Sequence, residues 1–190
     1  LWGTGTAISE GRSSWDQVAV LFTARPELFQ VQEKGQVERM PDGGIFWNAE
    51  TDRSTHFLVR PRLSVDQMAE IIEELMARAD LLLCSRHYAE ARGFDGPPAF
   101  LRELPGGRRR TCTWGSEGAW GMDEQNGIFH VRPSTPGRII DSIGAGDTFN
   151  AVMVARTCAG GRMAACLEDA VRISSTQCTV NGLQLVDAAP

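Results

Sequence analysis

An α/β layered sheet with helices on both faces is the fold class that this 190-residue sequence predicts, and three observations carry it. Strand-like and helix-like stretches alternate from Ile45 to Gln177; a capped amphipathic helix runs into a short apolar strand; a glycine turn opens onto an apolar helix. With 42% hydrophobic and 23% charged residues, the chain can bury a sizeable core and is not disordered overall.

The first forty-odd residues contribute least. From Leu1 to Gly44 the pattern is irregular, and no function is assigned there. Gly3 and Gly5 make a loose turn without the third glycine or the clear preceding strand of a dinucleotide fingerprint. Ala19 to Phe22 reads as a short strand or a short helix. Ile45 to Trp47 and His56 to Val59 read as brief strands, with Trp15 and Trp47 as core or interface residues.

Ser64 and Gln67 then form a capping box, each side chain satisfying one orphan amide of a helix start. Val65, Met68, Ile71, Ile72, Leu75 and Met76 follow at helical spacing, so one face is buried. Leu81 to Cys84 reads as a buried strand of a βα unit, ending near Ser85. That places Arg86 and His87 at its carboxyl end, where ligands gather in open α/β sheets. His56 and His87 read as surface or satisfied core histidines, since no metal spacing such as HExxH is present.

Pro97 to Leu104 predicts a short helix opened by proline, and Pro105 to Gly107 a turn. Arg110 to Trp114, Ala119 to Met122 and Ile128 to Val131 read as three strands, with Asn126 and Gly127 marking the reversal before the last. Pro133, Pro136 and Gly137 form a loop, and Ile139 and Ile140 lead into the run Asp141 to Asn150. Thr148 to Ala159 reads as a helix stopped by Gly160 and Gly161, and Met163 to Gln177 as a second.

The run Asp141, Ser142, Ile143, Gly144, Ala145, Gly146, Asp147 carries the chemistry. Gly144 and Gly146 let successive N–H groups turn toward one point, an anion-binding nest. Placed at a helix N-terminus, such a nest favours phosphate or developing negative charge. An Asp beside a phosphate site acts more naturally on a nucleophile than on the phosphoryl group, which is the geometry of a kinase base. An Asp in a first helical turn also simply complements the dipole, and spacing alone leaves both readings open.

The string Gly144, Ala145, Gly146, Asp147, with Asp141 ahead of it and Thr148 and Phe149 behind, resembles the C-terminal signature of the ribokinase-like (PfkB) carbohydrate kinases, in particular the ketohexokinase branch. Trp114 to Ala119 resembles the nucleotide-binding strand and turn of that family. Cys178, Thr179, Val180, Asn181 and Gly182 resemble the segment that closes over adenine. The resemblance covers roughly Asp80 to Asp187. It implies a ribokinase-like layered sheet and ATP-dependent phosphorylation of a sugar hydroxyl.

By the same resemblance, Asp147 is the catalytic base and Gly144, Ala145 and Gly146 form the anion hole. Trp114, Gly115, Ser116, Glu117 and Gly118, with Cys178, Asn181 and Gly182, bind ATP. Mg2+ arrives with the nucleotide, held by phosphates and water rather than by a protein metal site. The proline loop at Pro133 to Gly137 walls the adenine pocket. Arg86 is a candidate phosphate contact, with a plain solvated arginine as the other reading. Ile143 stands where many of the family's sugar kinases carry Thr or Ser, and Val152 where most carry Ala or Gly. No segment matches the family's N-terminal half, with its di-glycine sugar motif and lid strands. Residues 1–60 are therefore expected to be a remnant of that half, and 61–190 the ATP-binding part of an N-terminally incomplete domain. The remaining readings are a related nucleoside or sugar kinase, or a nucleotide-binding fragment without catalytic output.

Composition excludes several classes. Nineteen basic against 24 acidic residues give a formal charge of -5, which does not suggest nucleic-acid binding, and Arg108 to Arg110 reads as a solvated loop. No P-loop and no protein-kinase catalytic loop is present. The five cysteines, Cys84, Cys112, Cys158, Cys166 and Cys178, form no CxxC pair and read as reduced. With no apolar run of about 18 residues, no membrane partner is expected and a cytoplasmic setting is. The chain opens on Leu1 rather than Met, so its translation start and any targeting peptide are expected upstream. The expected partners are a small-molecule sugar and, by resemblance, a second copy of the chain.

Overall fold

The computed structural model describes residues 21–50, 56–125, 127–134 and 138–182. Gly3, Gly5, Trp15, Asn126, Pro136 and Gly137 lie outside them. The chain divides into two compact units, parted between Glu73 and Glu74.

The first unit holds strands β1 (Phe29–Arg39), β2 (Ile45–Asn48) and β3 (His56–Pro61), an antiparallel sheet in the order β2-β1-β3. The irregular reading of Leu1 to Gly44 is thus corrected: an 11-residue strand runs through it, and residues 21–24 are helical. The strand was hidden because its register against β3 shifts between Val31 and Glu33, which breaks the two-residue alternation that marks a strand. Leu21, Phe29 and Met68 are buried together, with Val59, Leu63 and Ile71 against them.

Helix α1 (Val65–Arg78) starts as its capping box predicts. The Ser64 N–H donates to Gln67 Oε1 at 3.0 Å, and the Gln67 N–H to Ser64 Oγ at 3.2 Å. Leu75, expected on the buried face, is instead 48% exposed.

The second unit contains β4 (Leu81–Ser85), α2 (Arg86–Ala91), α3 (Pro97–Glu103), β5 (Arg109–Thr113), β6 (Ala119–Met122), β7 (Ile128–Val131), α4 (Ala145–Cys158) and α5 (Met163–Gln177). Its sheet has the order β4-β5-β6-β7, with β4 and β5 parallel and the other pairs antiparallel. Two reversals return β7 to the direction of β4 and β5, so all three end at one edge of the sheet.

Alternation along the strands sorts the core into two layers. Leu82, Cys112, Trp114 and Met122 pack with Ala89 of α2, Phe100 and Leu101 of α3, and Leu104. On the opposite face Ala119 is buried with Phe149 and Met153 of α4 and Met163, Cys166, Leu167, Ala170 and Val171 of α5, with Leu81, Leu83, Phe129 and Val131 packed against them. The expected layered sheet with helices on both faces is the observed architecture. Burying each large side chain in such a layer contributes about 1.5–3 kcal/mol. Val152 fits half-buried against the α4 and α5 layer.

Two helix starts differ from expectation. Arg86 opens α2, because Ser85 caps it by accepting the Tyr88 N–H at 3.4 Å. Helix α4 begins at Ala145, three residues ahead of Thr148, because Gly144 serves as its N-cap in the left-handed conformation, φ 78°. No helix among the described residues is long and apolar enough to cross a membrane.

Candidate active site

The glycine run lies at the N-terminus of α4, so Ala145, Gly146 and Asp147 are its first three residues. Gly144 O accepts the Thr148 N–H at 2.8 Å, closing the first turn, and the Ala145 N–H reaches Ser142 O at 3.3 Å. The N–H groups of Gly144, Gly146 and Asp147 have no partner among the described residues. A 14-residue helix adds the positive end of its dipole, equivalent to roughly half an elementary charge, at the same place. Gly146 and Asp147 are exposed, and the Asp147 carboxylate has no hydrogen bond or ion pair among the described residues. Phe149, two residues on, is buried in the α4 and α5 layer and anchors the turn to the sheet.

Ahead of the turn, both carboxylate oxygens of Asp141 are engaged. Oδ1 accepts the Ile143 N–H at 2.9 Å and Oδ2 accepts the Gly182 N–H at 3.1 Å. Cys178 O accepts two further N–H groups, from Ile140 at 2.8 Å and Asp141 at 3.2 Å. Gln177, at the end of α5 and 2% exposed, donates Nε2 to Gly182 O. The structure therefore ties Ile140 and Asp141, just ahead of the glycine turn, to Cys178 and Gly182, joining two regions that the sequence had marked separately. Of the residues that join them, the sequence marks Asp141 only as part of the signature run, without a role, and Gln177 only as the end of a helix. An Asp two residues before a turn amide is a recognisable Asx-turn signal for the first of these bonds, but nothing local points to Gly182.

The remaining candidates stand where β4, β5 and β7 end. Gly115–Glu117 forms a 3-10 turn, closed by Trp114 N–H to Gly118 O at 2.7 Å and Gly118 N–H to Gly115 O at 3.1 Å. Gly118 adopts φ 94°, ψ -137°, and an added Cβ would run into Val131 O, so the β5–β6 turn presses directly on the end of β7. Gly115, Ser116 and Glu117 are exposed. Trp114 is less accessible: it is 6% exposed and its ring packs into the α2 and α3 layer. Arg86 lies over that ring at 5.3 Å and donates Nε to Glu90 Oε1 at 2.7 Å. The Glu90 hydrogen bond, and then its charge, raise the Arg86 pKa above the ordinary guanidinium value.

Beside Arg86 a depression of about 590 Å³ is lined by Arg86, Glu90, Phe94, Asp95, Trp114 and Glu117. Another of about 510 Å³, at Gly107, Arg108, Arg110, Asp123 and Glu124, lies at the opposite edge of the sheet. Neither includes Gly144 to Asp147, of which Gly144 and Ala145 are half-buried and Gly146 and Asp147 exposed. No hydrogen bond links the Arg86 group to the glycine turn among the described residues. No group of three His, Cys, Asp or Glu gathers at one point among them.

The pfkB family carbohydrate kinase model matches residues 49–189. A ketohexokinase from Mus musculus is 27% identical over 128 residues, 65% of this chain and 43% of that protein. An adenosine kinase from Schistosoma mansoni, solved with 2-fluoroadenosine, superposes with a TM-score of 0.53 at 21% identity, over 64% of this chain and 41% of that one. An E. coli protein assigned as ribokinase II and solved with ATP and Mg2+ gives a TM-score of 0.53 at 21% identity, over 62% of this chain and 39% of that one. At such identities the likeness establishes the ribokinase-type fold. The chain spans about two fifths of the length of these relatives.

Proposed function

Because the chain belongs to the pfkB family of carbohydrate kinases, we propose that it provides the nucleotide-binding half of an ATP-dependent sugar kinase, with residues 61–190 as that half. The observation that carries this reading is the exposed carboxylate of Asp147 beside the N–H groups of Gly144 and Gly146, all of them unpaired among the described residues. Those amides receive the negative charge that builds on the transferring phosphoryl oxygens. Asp147 orients the acceptor hydroxyl. Its oxygen bonds to the γ-phosphorus, the bond to the β-phosphate oxygen breaks with the electron pair leaving on ADP, and the hydroxyl proton passes to Asp147.

The adenine of ATP is assigned to Cys178, Asn181 and Gly182, and its ribose and phosphates to Trp114 and the turn Gly115 to Gly118, with Arg86 as a further phosphate contact. The helix start offers N–H groups that fit phosphate oxygens, and Asp147 is the one carboxylate in its first turn. With no cluster of three His, Cys, Asp or Glu among the described residues, a magnesium ion would be held chiefly by the nucleotide, where it would offset phosphate charge. The acceptor is a sugar hydroxyl, a ketohexose by the resemblance to ketohexokinase. The five free cysteines support a reducing, cytoplasmic setting. The exposed Val31, Phe46 and Phe57, on one face of the first unit's sheet, support pairing of two copies.

Because the chain spans about two fifths of its relatives' length, a second reading is a chain that binds ATP without transferring its phosphoryl group. Calorimetry with MgATP, followed by ADP release with a panel of ketoses, ribose and nucleosides, separates the two. Acceptor-dependent ADP release, lowered by about 10² to 10⁴ in Asp147→Asn with ATP binding retained, is the expected result. Normal turnover in that variant refutes Asp147 as base.

A further inference from the structure

The signature run contains two aspartates whose surroundings are opposite. Asp147 is exposed and without a partner among the described residues, whereas Asp141 spends both oxygens on backbone amides, one from each of two segments. We propose that Asp141 is a positioning residue: with Gln177 it clamps the Gly182 peptide, and so fixes the Cys178–Gly182 stretch against the glycine turn. The proposal rests on the nucleotide-binding reading above.

The geometry is that of a clamp with two jaws. Asp141 Oδ2 takes the Gly182 N–H at 3.1 Å, while the buried Gln177 amide donates to the carbonyl of the same residue. On the other side, Oδ1 takes the Ile143 N–H at 2.9 Å and sets the entry to Gly144. Cys178 O, receiving Ile140 and Asp141, keeps the two segments side by side. An ionised carboxylate is suited to this because it only accepts and has two oxygens to offer. Asn in its place presents an N–H to one of the two amides and loses that bond.

A ligand spanning both segments gains from their fixed spacing, since engaging one end raises the effective concentration at the other. A ligand touching one segment does not. ATP spans both in the reading above, and of the two adenosine reaches only the Cys178–Gly182 side. Loss of the clamp therefore weakens ATP more than adenosine, whereas a variant that is merely less well folded lowers the active fraction for both alike.

The test is calorimetry of the 190-residue chain with MgATP and with adenosine, for the wild type, Asp141→Asn and Asp141→Ala, together with amide hydrogen exchange. We expect ATP affinity to fall on the order of tenfold or more in both variants, with adenosine changed by less than about threefold. Exchange should quicken at Ile143 and Gly182 while α4 and α5 stay protected. Unchanged ATP affinity, an equal fall for both ligands, or unaltered protection of those two amides overturns the clamp. A wild type that binds neither ligand overturns the nucleotide reading itself, and the clamp's role with it.

Discussion

The guanidinium of Arg86 lies 5.3 Å from the centre of the Trp114 ring, joining the first residue after β4 to the first after the parallel neighbour β5. The same guanidinium is held by Glu90, one helical turn on. Arg86 is thereby presented at the sheet edge where the Gly115 to Gly118 turn lies. A half-exposed i,i+4 pair and a partly exposed cation–π contact are screened by water and add little to stability. Arg86→Gln should change the unfolding midpoint in urea only slightly. In calorimetry it should weaken ATP several-fold and leave adenosine unchanged; equal affinity for ATP would return Arg86 to the solvated reading.

Gly118 offers a backbone test of the same turn. An alanine there must hold φ 94° and place its Cβ against Val131 O, so the turn or the end of β7 has to shift. Gly118→Ala should cost about 1–3 kcal/mol in urea unfolding. A neutral result would mean that the turn relaxes without strain.

The two thiols on adjoining strands give a prediction in pH. Cys84 and Cys112 are paired in register across β4 and β5, and burial pushes both up to about 12 from an ordinary 9.0. In the unfolded chain the thiols lose their protons near the ordinary value, while in the folded chain they keep them. Stability is thus full below about pH 9 and falls as pH rises toward 12. At pH 8, alkylation read by mass spectrometry should label the exposed Cys158 first and leave Cys84 and Cys112 protected until urea is added. Early labelling of Cys112 would contradict its burial.

Leu167 tests the layer beneath the candidate site. It is fully buried in the α4 and α5 layer, close to Gly121 of β6, where a side chain would collide with Met163. Leu167→Ala should lose about 2–5 kcal/mol. Because Phe149 shares that layer, circular dichroism should show the whole second unit melting earlier, not α5 alone.

Pairing of two copies is testable at the first unit's sheet. Phe57 is 59% exposed and, by register, shares a face with Phe46 and Val31. Phe57→Asp should convert a two-copy species to one copy in sedimentation at micromolar concentration. A wild type that sediments as a single copy would remove the pairing reading.

What the sequence determined by itself was whatever rests on neighbours within one or two turns of chain. The Ser64 and Gln67 box, the α5 limits Met163–Gln177, the β6 and β7 limits and the glycine turn at a helix start all follow from such short-range bonds and periodicities. Even there, α4 starts inside the signature because Gly144 caps it. Tertiary structure decided the rest. How deeply Trp114 sits was not legible, and packing against Phe100 and Leu101 is what buries its ring. The strand β1 was illegible because its register shift cancels the alternation, so pairing with β2 and β3 is what defines it. Asp141 finds Gly182 across 41 residues, a contact no local pattern encodes; it exists because α4 and α5 fold back on one another and bring the two segments' backbone amides and carbonyls within hydrogen-bond reach.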